Sequence, residues 1–119
     1  MKYAMLVYSD QSSSEALSEE EAAGKRAESM PRWIQLFEEM GKADPAVEGR
    51  ELAAASDAKV VRVVDGDRVV TDGPFAETKE QIGGLFVTTL PDLDEAIRIA
   101  ALVPAAETGS LEIRPIVER

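Results

Sequence analysis

The residues best placed for chemistry lie in one short stretch, TDGPFAETKE, which runs from Thr71 to Glu80 directly after a run of valines. Asp72 stands before Gly-Pro, a dipeptide typical of a tight corner. A carboxylate at the end of an apolar strand face can have a raised pKa and act as a general acid or base. It can equally accept hydrogen bonds from backbone donors of the corner, or pair with Lys59. The structural role is favoured, because the sequence offers Asp72 no second catalytic group.

Further side chains are candidate ligand contacts. Phe75 would complete the corner, and Lys79 could hold an anionic substrate at the mouth of a cavity, although local charge pairing in a solvated loop is the simpler interpretation. Arg114 could bind a carboxylate through two hydrogen bonds, or pair with an acid across a dimer interface. Tyr8 could supply a hydroxyl group, although packing is the default role of an aromatic ring. We therefore predict Asp72 as the catalytic residue and Tyr8, Phe75, Lys79 and Arg114 as substrate contacts.

Composition removes several classes of chemistry. The chain has no cysteine and no histidine, which excludes disulfides, thiol nucleophiles, zinc–thiolate sites, Ser-His-Asp triads and imidazole metal sites. Its acidic runs coincide with predicted helix starts and turns, where capping explains them, so we predict no metal and no cofactor. The 13 basic and 23 acidic residues give a net charge of −10. That charge should repel nucleic acid and anionic membranes.

The length of 119 residues suits one domain that spans residues 1–119 around a single core. No apolar run approaches the roughly 20 residues of a membrane helix. The N-terminal MKYAMLVYSD becomes polar at Ser9 and lacks a small-residue cleavage pattern, so it predicts a first strand and not a signal peptide. We therefore expect a cytoplasmic protein.

A long helix is predicted to follow the polar connection SDQSSSEAL. Ser18 and Glu21 form a capping-box pattern at its start, and the helix should reach about Met40 and end at Gly41. Pro31 removes a backbone donor inside it, so we expect a kink or a break there. The apolar stripe of this helix comprises Met30, Trp33, Ile34, Phe37 and Met40. The stripe predicts core packing first, with a pocket wall as the second interpretation.

A β-hairpin is predicted in KVVRVVDGDRVVTD. The dipeptide Asp65-Gly66 suits a two-residue turn with positive φ, and valines flank it on both sides. This turn places Asp72 opposite Lys59 and on the more apolar face of the hairpin. A three-residue bulged turn would shift the register by one residue and move Asp72 to the other face.

The remaining elements complete an α+β order. We predict a short strand near Glu51–Ala54, a strand at Leu85–Leu90, a helix capped by Asp92 that ends near Pro104, and a last strand at residues 110–117. The order indicates a ferredoxin-like fold, with an antiparallel sheet and two helices on one face.

The predicted strands at residues 2–8 and 85–90 are apolar on both faces, whereas the helices cover only one face of such a sheet. Exposed apolar patches of that size are uncommon in monomers. A second copy of the chain is the simplest cover for the other face. We therefore predict a homodimer.

The segment from Val60 to Ile116 resembles the DGPF-motif branch of the YCII-related family. VRVVDG, VTDGPFAETKEQIGG, DLDEAIRIAA and GSLEIRPI carry the match, and MKYAMLVYSD and LSEEE extend it toward the N-terminus. The resemblance implies a dimeric α+β barrel around a cavity. The family is largely uncharacterised, and its members are often described as candidate enzymes by analogy with muconolactone isomerases and similar barrels. Some are encoded beside extracytoplasmic sigma factors, which implies a regulatory context. The His–Asp pair proposed for the YCII branch cannot exist in this chain, because it has no histidine.

Two functions follow from these observations. The first is a small dimeric α+β barrel that binds or transforms a small organic molecule in a cavity, with Asp72 as acid or base in isomerase-, dehydrating- or hydrolase-like chemistry. The alternative is a non-enzymatic ligand-sensing or regulatory module whose acidic surface contacts a basic partner protein.

Overall fold

The computed structural model describes residues 1–12 and 17–119. Part of the predicted polar connection, residues 13–16, therefore lies outside the described residues. The strands are β1 (Lys2–Ser9), β2 (Glu48–Glu51), β3 (Lys59–Val64), β4 (Asp67–Asp72), β5 (Gln81–Thr89) and β6 (Ser110–Pro115), and the helices are α1 (Glu19–Ala43) and α2 (Leu93–Ala101). Short 3-10 turns occur at Ala55–Asp57 and Pro104–Ala106.

Strands β2, β5, β1 and β6 form an antiparallel sheet in that order. In β1, the alternate residues Tyr3, Met5 and Val7 are buried on the face that α1 and α2 cover, where Leu36 and Ile99 are fully buried. The structure thus confirms the ferredoxin-like α+β fold, because its alternating strands and amphipathic helices bury one shared apolar face.

Helix α1 begins as predicted and ends later. The Ser18 hydroxyl accepts a hydrogen bond from the backbone N–H of Glu21 at 3.1 Å. The helix is not broken at Pro31, which lies on an exposed turn. Proline has no N–H to donate to the carbonyl oxygen one turn earlier, and water can form that hydrogen bond instead. The prediction that it ends at Gly41 is wrong. Asp44 is the C-cap instead, and its N–H donates to Met40 O at 2.7 Å.

The predicted hairpin is confirmed in turn and register. Asp65 and Gly66 have φ values of 51° and 81°, and Lys59 pairs with Asp72. Strands β3 and β4 pair with each other in a sheet of their own, and their valines other than Val60 are exposed, with Val63 at 73%. The radius of gyration is 16.4 Å, against about 13.5 Å for a compact chain of this length. The hairpin therefore extends the molecule and adds little to its core.

The short strand predicted near Glu51–Ala54 lies earlier, at Glu48–Glu51. It is an edge strand, and its pairing with β5 places Arg50 opposite Leu85. Its sequence, EGRE, does not alternate between apolar and polar residues. Its position is therefore determined by hydrogen bonding to β5, and the local sequence pattern does not predict it.

Candidate functional site

A cleft of about 620 Å³ lies between α1 and the helix-covered face of the sheet. Its lining combines one side of α1 with the β2, β5 and β1 strands. The lining residues used below are Val7, Arg26, Met30, Trp33, Phe37, Arg50, Glu51, Gly84 and Phe86. A cleft of this size is in the range of small-molecule sites, which is roughly 300–1,000 Å³.

The walls of the cleft come from the apolar stripe of α1. Met30, Trp33 and Phe37 are spaced three and four residues apart, so they share one side of the helix. The rings of Trp33 and Phe37 are tilted against each other with centroids 5.9 Å apart. Met30 and Phe37 are 47% and 53% exposed, which is too open for core residues. The second interpretation of the stripe, a pocket wall, therefore describes these residues better than core packing.

The sheet forms the floor of the cleft. Gly84 pairs with Val7 across β5 and β1 and lines the cleft. Gly49 pairs with Phe86, and a Cβ atom at Gly49 would lie 2.9 Å from the Phe86 ring. The Phe86 ring can lie this close to the edge strand β2 because residue 49 is a glycine and has no side chain. Sequence reasoning did not connect these glycines with a cleft.

The charged residues among those that line the described cleft are Arg26, Arg50 and Glu51. Arg50 donates to the carbonyl oxygen of Gly49 at 2.7 Å. Within residues 1–12 and 17–119, neither arginine forms an ion pair. Arg50 pairs with Leu85 and shares the face of that residue, whereas Glu51 pairs with Gly84 on the floor of the cleft.

The opposite face of the sheet is open. Leu6 lies opposite Leu85 and Glu112, and Ala4 lies opposite Val87. Because directly paired residues share a face, these side chains form one surface that the helices do not cover. It continues as an apolar strip across the middle of the sheet.

Tyr8 and Arg114, both predicted substrate contacts, meet on this open face. The Tyr8 hydroxyl donates to Glu112 Oε1 at 2.9 Å. This hydrogen bond raises the pKa of Tyr8, and the positive charge of Arg114 acts weakly in the opposite direction. The three side chains form a polar group at one side of the apolar strip.

The predicted catalytic residue, Asp72, lies at the end of β4. Its carboxylate contacts the ammonium group of Lys59, and its side chain is 84% exposed. It lines neither the cleft under α1 nor the smaller cleft beside the corner. The next residue, Gly73, donates its N–H to Ala58 O at 2.8 Å, and the Gly73–Pro74 peptide bond is cis.

The other predicted contacts are dispersed. Phe75 is 76% exposed, and the guanidinium of Arg62 lies 5.4 Å from its ring centroid. Lys79 lines a smaller, open cleft of about 330 Å³ with Gly73 and Pro74. The structure thus brings Tyr8 and Arg114 together on the open face and places the remaining candidates around the hairpin corner.

Sequence reasoning missed Asp44, the buried carboxylate that joins the end of α1 to β5. One of its oxygens accepts from the Thr89 N–H at 2.8 Å and from the Thr88 hydroxyl at 3.2 Å. The other accepts from the Ala46 N–H at 3.0 Å. The hydrogen bond from Thr89 is the main cause that lowers the pKa of Asp44. The available signal was an Asp before Pro after a helix, a pattern typical of a cap.

Two further properties concern only the described part of the chain. No group of three acidic side chains there is arranged to hold a metal ion. No helix there has the length and apolar character needed to cross a membrane.

The sequence profile of the YCII-related domain matches residues 1–119. The chain belongs to the YCII-related family. An uncharacterised protein of Rhizobium meliloti (strain 1021) is 36% identical over 118 residues, which cover 98% of this chain and 92% of that protein. The comparisons thus show the family along the whole chain.

Proposed function

We propose that this YCII-related chain is a homodimeric binding protein for a small organic molecule, and that the molecule occupies the cleft under α1. The observation that carries the proposal is the cleft itself, about 620 Å³ in volume with Trp33 and Phe37 on its wall. An apolar cleft with few polar groups is the common form of a small-molecule site.

Dimerisation is supported by the open face of the sheet. Its strip of Ala4, Leu6, Leu85 and Val87 is apolar, and burial of apolar area is the main driving force of stable association. Packing two such faces together would form the dimeric barrel that the resemblance implies. It would also bring the hydrogen-bonded pair of Tyr8 and Glu112 into the interface.

Binding, rather than acid–base catalysis, is the function that the cleft residues support. Arginine stays protonated in proteins and cannot act as a base near neutral pH. Glu51 is then the one carboxylate among the residues that line the described cleft. A catalytic role for Asp72 stays a prediction of the sequence, because Asp72 lies outside both clefts.

The binding proposal is tested with the fluorescence of Trp33, the only tryptophan of the sequence. Small carboxylic acids, phenols and lactones are titrated against the parent protein, and thermal shifts are recorded on the same samples. We expect a subset to change the emission of Trp33 and raise the melting temperature together. If no compound does either, the cleft is not a ligand site.

The dimer is tested by light scattering at micromolar concentration. We expect twice the 12.9 kDa of one chain. Leu6→Glu should convert the protein to a monomer, because it introduces a charge into the apolar strip. The control is Leu93→Glu, since Leu93 is 50% exposed on α2, away from the open face. If the parent protein were a monomer, the proposed dimer would be wrong, and the proposal that the cleft binds a ligand would not be affected.

A further inference from the structure

We infer that the open face of the sheet is complementary in charge to itself, and that a second copy of this chain docks on it with the strands of the two sheets aligned and joined by ion pairs. The residues that form these pairs are Glu48, Arg50, Glu112 and Arg114. This inference rests on the proposed dimer and assigns the contacts that orient it.

Two rows of paired residues cross the open face from β2 to β6. Because directly paired residues share a face of a sheet, each row can be followed from strand to strand. The first row is Arg50, Leu85, Leu6 and Glu112. The second row, two residues along each strand, is Glu48, Val87, Ala4 and Arg114. Each row therefore has two apolar residues in the middle and opposite charges at its ends.

The four charged residues stand at the corners of the apolar strip, and we call them the corner residues. The two ends of a row are three strand spacings apart, about 14 Å, and the two rows are about 7 Å apart. Along β2, Glu48 neighbours Arg50, and along β6, Glu112 neighbours Arg114. The sign of the charge therefore alternates around the strip.

The corner residues are free to pair across an interface. All four are exposed, and none of them forms an ion pair with another residue that the structure describes. By contrast, the exposed Arg32 binds Glu107 through two hydrogen bonds of 2.5 and 3.1 Å. Glu112 uses Oε1 to accept from the Tyr8 hydroxyl at 2.9 Å, which leaves its other oxygen for a guanidinium group.

A two-fold axis in the plane between two such faces brings opposite charges together. An axis parallel to the strands places β2 over β6, so that Arg50 meets the partner's Glu112 and Glu48 meets the partner's Arg114. An axis across the strands places β2 over β2, so that Arg50 meets the partner's Glu48 and Glu112 meets the partner's Arg114. Either axis also superposes the two apolar strips, as an isologous interface requires.

The charge pattern selects against crossed strands. Two sheets pack face to face either with their strands within about 30° of each other or near a right angle. A partner turned by a right angle would place every corner residue beside one of the same sign, which strongly destabilises an interface. The long side chains of arginine and glutamate can span the smaller offset of the aligned arrangement. The corner residues therefore favour aligned sheets.

The same pattern favours a second copy over a basic partner protein. The whole chain has a net charge of −10, so two copies repel each other over most of their surface. The corner residues are two arginines and two glutamates, whose charges cancel. A basic partner would find no excess of negative charge there, whereas a second copy finds opposite charge at every corner.

The test measures the dissociation constant of the dimer by sedimentation velocity over a dilution series. Arg50→Glu creates two like-charge contacts for either axis, because each contact occurs twice in a two-fold dimer. We expect the dissociation constant to rise at least tenfold, and added salt to reduce the difference from the parent. The matched control is Lys25→Glu, an equal change of charge at an exposed residue of α1, on the other side of the sheet. It should dimerise like the parent.

Two double variants restore the complementarity, each for one axis. Arg50→Glu/Glu112→Arg restores opposite charges across an axis parallel to the strands. Glu48→Arg/Arg50→Glu restores them across an axis perpendicular to the strands. Both keep the net charge of the parent. We expect one double variant to dimerise within threefold of the parent and the other no better than Arg50→Glu, and the one that recovers identifies the axis.

The outcomes separate the inference from the proposed dimer. If the parent protein is a monomer throughout the series, both are wrong. If it is a dimer that Arg50→Glu weakens no more than Lys25→Glu does, the dimer stands and the inference is overturned. Failure of both double variants to recover the dimer would also overturn the aligned arrangement. Circular dichroism of every variant shows whether loss of the dimer occurs without loss of the fold.

Discussion

Lys59 and Asp72 face each other across the first pair of the β3–β4 hairpin, and the ammonium group of Lys59 contacts the carboxylate of Asp72. Their side chains are 63% and 84% exposed, so water and salt screen the interaction strongly. Asp72, which the sequence predicts as the catalytic residue, therefore belongs to a surface ion pair. Its neighbour Gly73 donates its N–H to the carbonyl oxygen of Ala58 and packs closely against that residue.

Replacement of Asp72 should have little effect on stability. We expect Asp72→Asn to change the melting temperature by less than about 3 °C, because exposed ion pairs contribute little. Lys59→Gln, which removes the other partner, should behave in the same way. Asp72→Asn also tests the prediction that Asp72 is the catalytic residue. A ligand that binds the parent protein but not Asp72→Asn would show that Asp72 contacts the ligand.

Replacement of Gly73 should destabilise the corner. A Cβ atom there would lie 2.9 Å from the Ala58 Cβ and 3.2 Å from the Ala58 carbonyl carbon, so Gly73→Ala should cost about 1–3 kcal/mol in urea unfolding. The double variant Gly73→Ala/Ala58→Gly should recover part of this loss, because it removes the nearer contact.

Gly24→Ala is the control for the Gly73 variant. Gly24 lies in α1 with no atom within 4 Å of the added Cβ, and alanine there should increase stability by about 0.5–1 kcal/mol. If Gly73→Ala were as well tolerated as Gly24→Ala, the close packing against Ala58 would not hold the corner.

Asp44→Asn should destabilise the protein by about 2 kcal/mol at neutral pH, because the charged acceptor of the Thr89 and Ala46 N–H groups is lost. The exposed Asp67→Asn serves as the control and should change stability little. Far-ultraviolet circular dichroism during urea unfolding measures both. Equal stability of the two variants would contradict the role of Asp44.

The pH dependence of this effect has a definite sign. The pKa of Asp44 is lowered in the folded protein, so its contribution is present above the pKa of an unfolded aspartate and is lost as the pH falls through the lowered folded value. The difference in unfolding free energy between the parent and Asp44→Asn should therefore shrink in the acid range. A difference that stayed constant down to the acid limit would exclude this linkage.

Phe37 and Ile34 offer a matched test of the cleft wall. They are 53% and 50% exposed on the same helix, but only Phe37 is among the residues that line the described cleft. For a compound that binds in the Trp33 emission screen, we expect Phe37→Ala to weaken binding at least threefold and Ile34→Ala to leave it unchanged, measured by the same emission. Equal effects of both variants would place the bound compound elsewhere.

Features that depend on neighbouring residues were predictable. The turn at Asp65-Gly66 and its register follow from positive φ at adjacent positions. The Ser18 and Asp92 caps were predictable because each side chain accepts a hydrogen bond from the backbone N–H three residues later in the sequence. The ferredoxin-like order followed from alternating strands and amphipathic helices in sequence.

The sequence by itself therefore determined the types, the order and the local ends of most elements, because these depend on propensity and hydrogen bonds over a few residues. Tertiary structure decided where α1 ends, since Asp44 is held by Thr89 on a distant strand. It also decided the cleft, since Trp33 of α1 and Val7 and Gly84 of the sheet are brought together only when the helix and strands pack. A binding site depends on distances between elements, and no local pattern of residues encodes those distances.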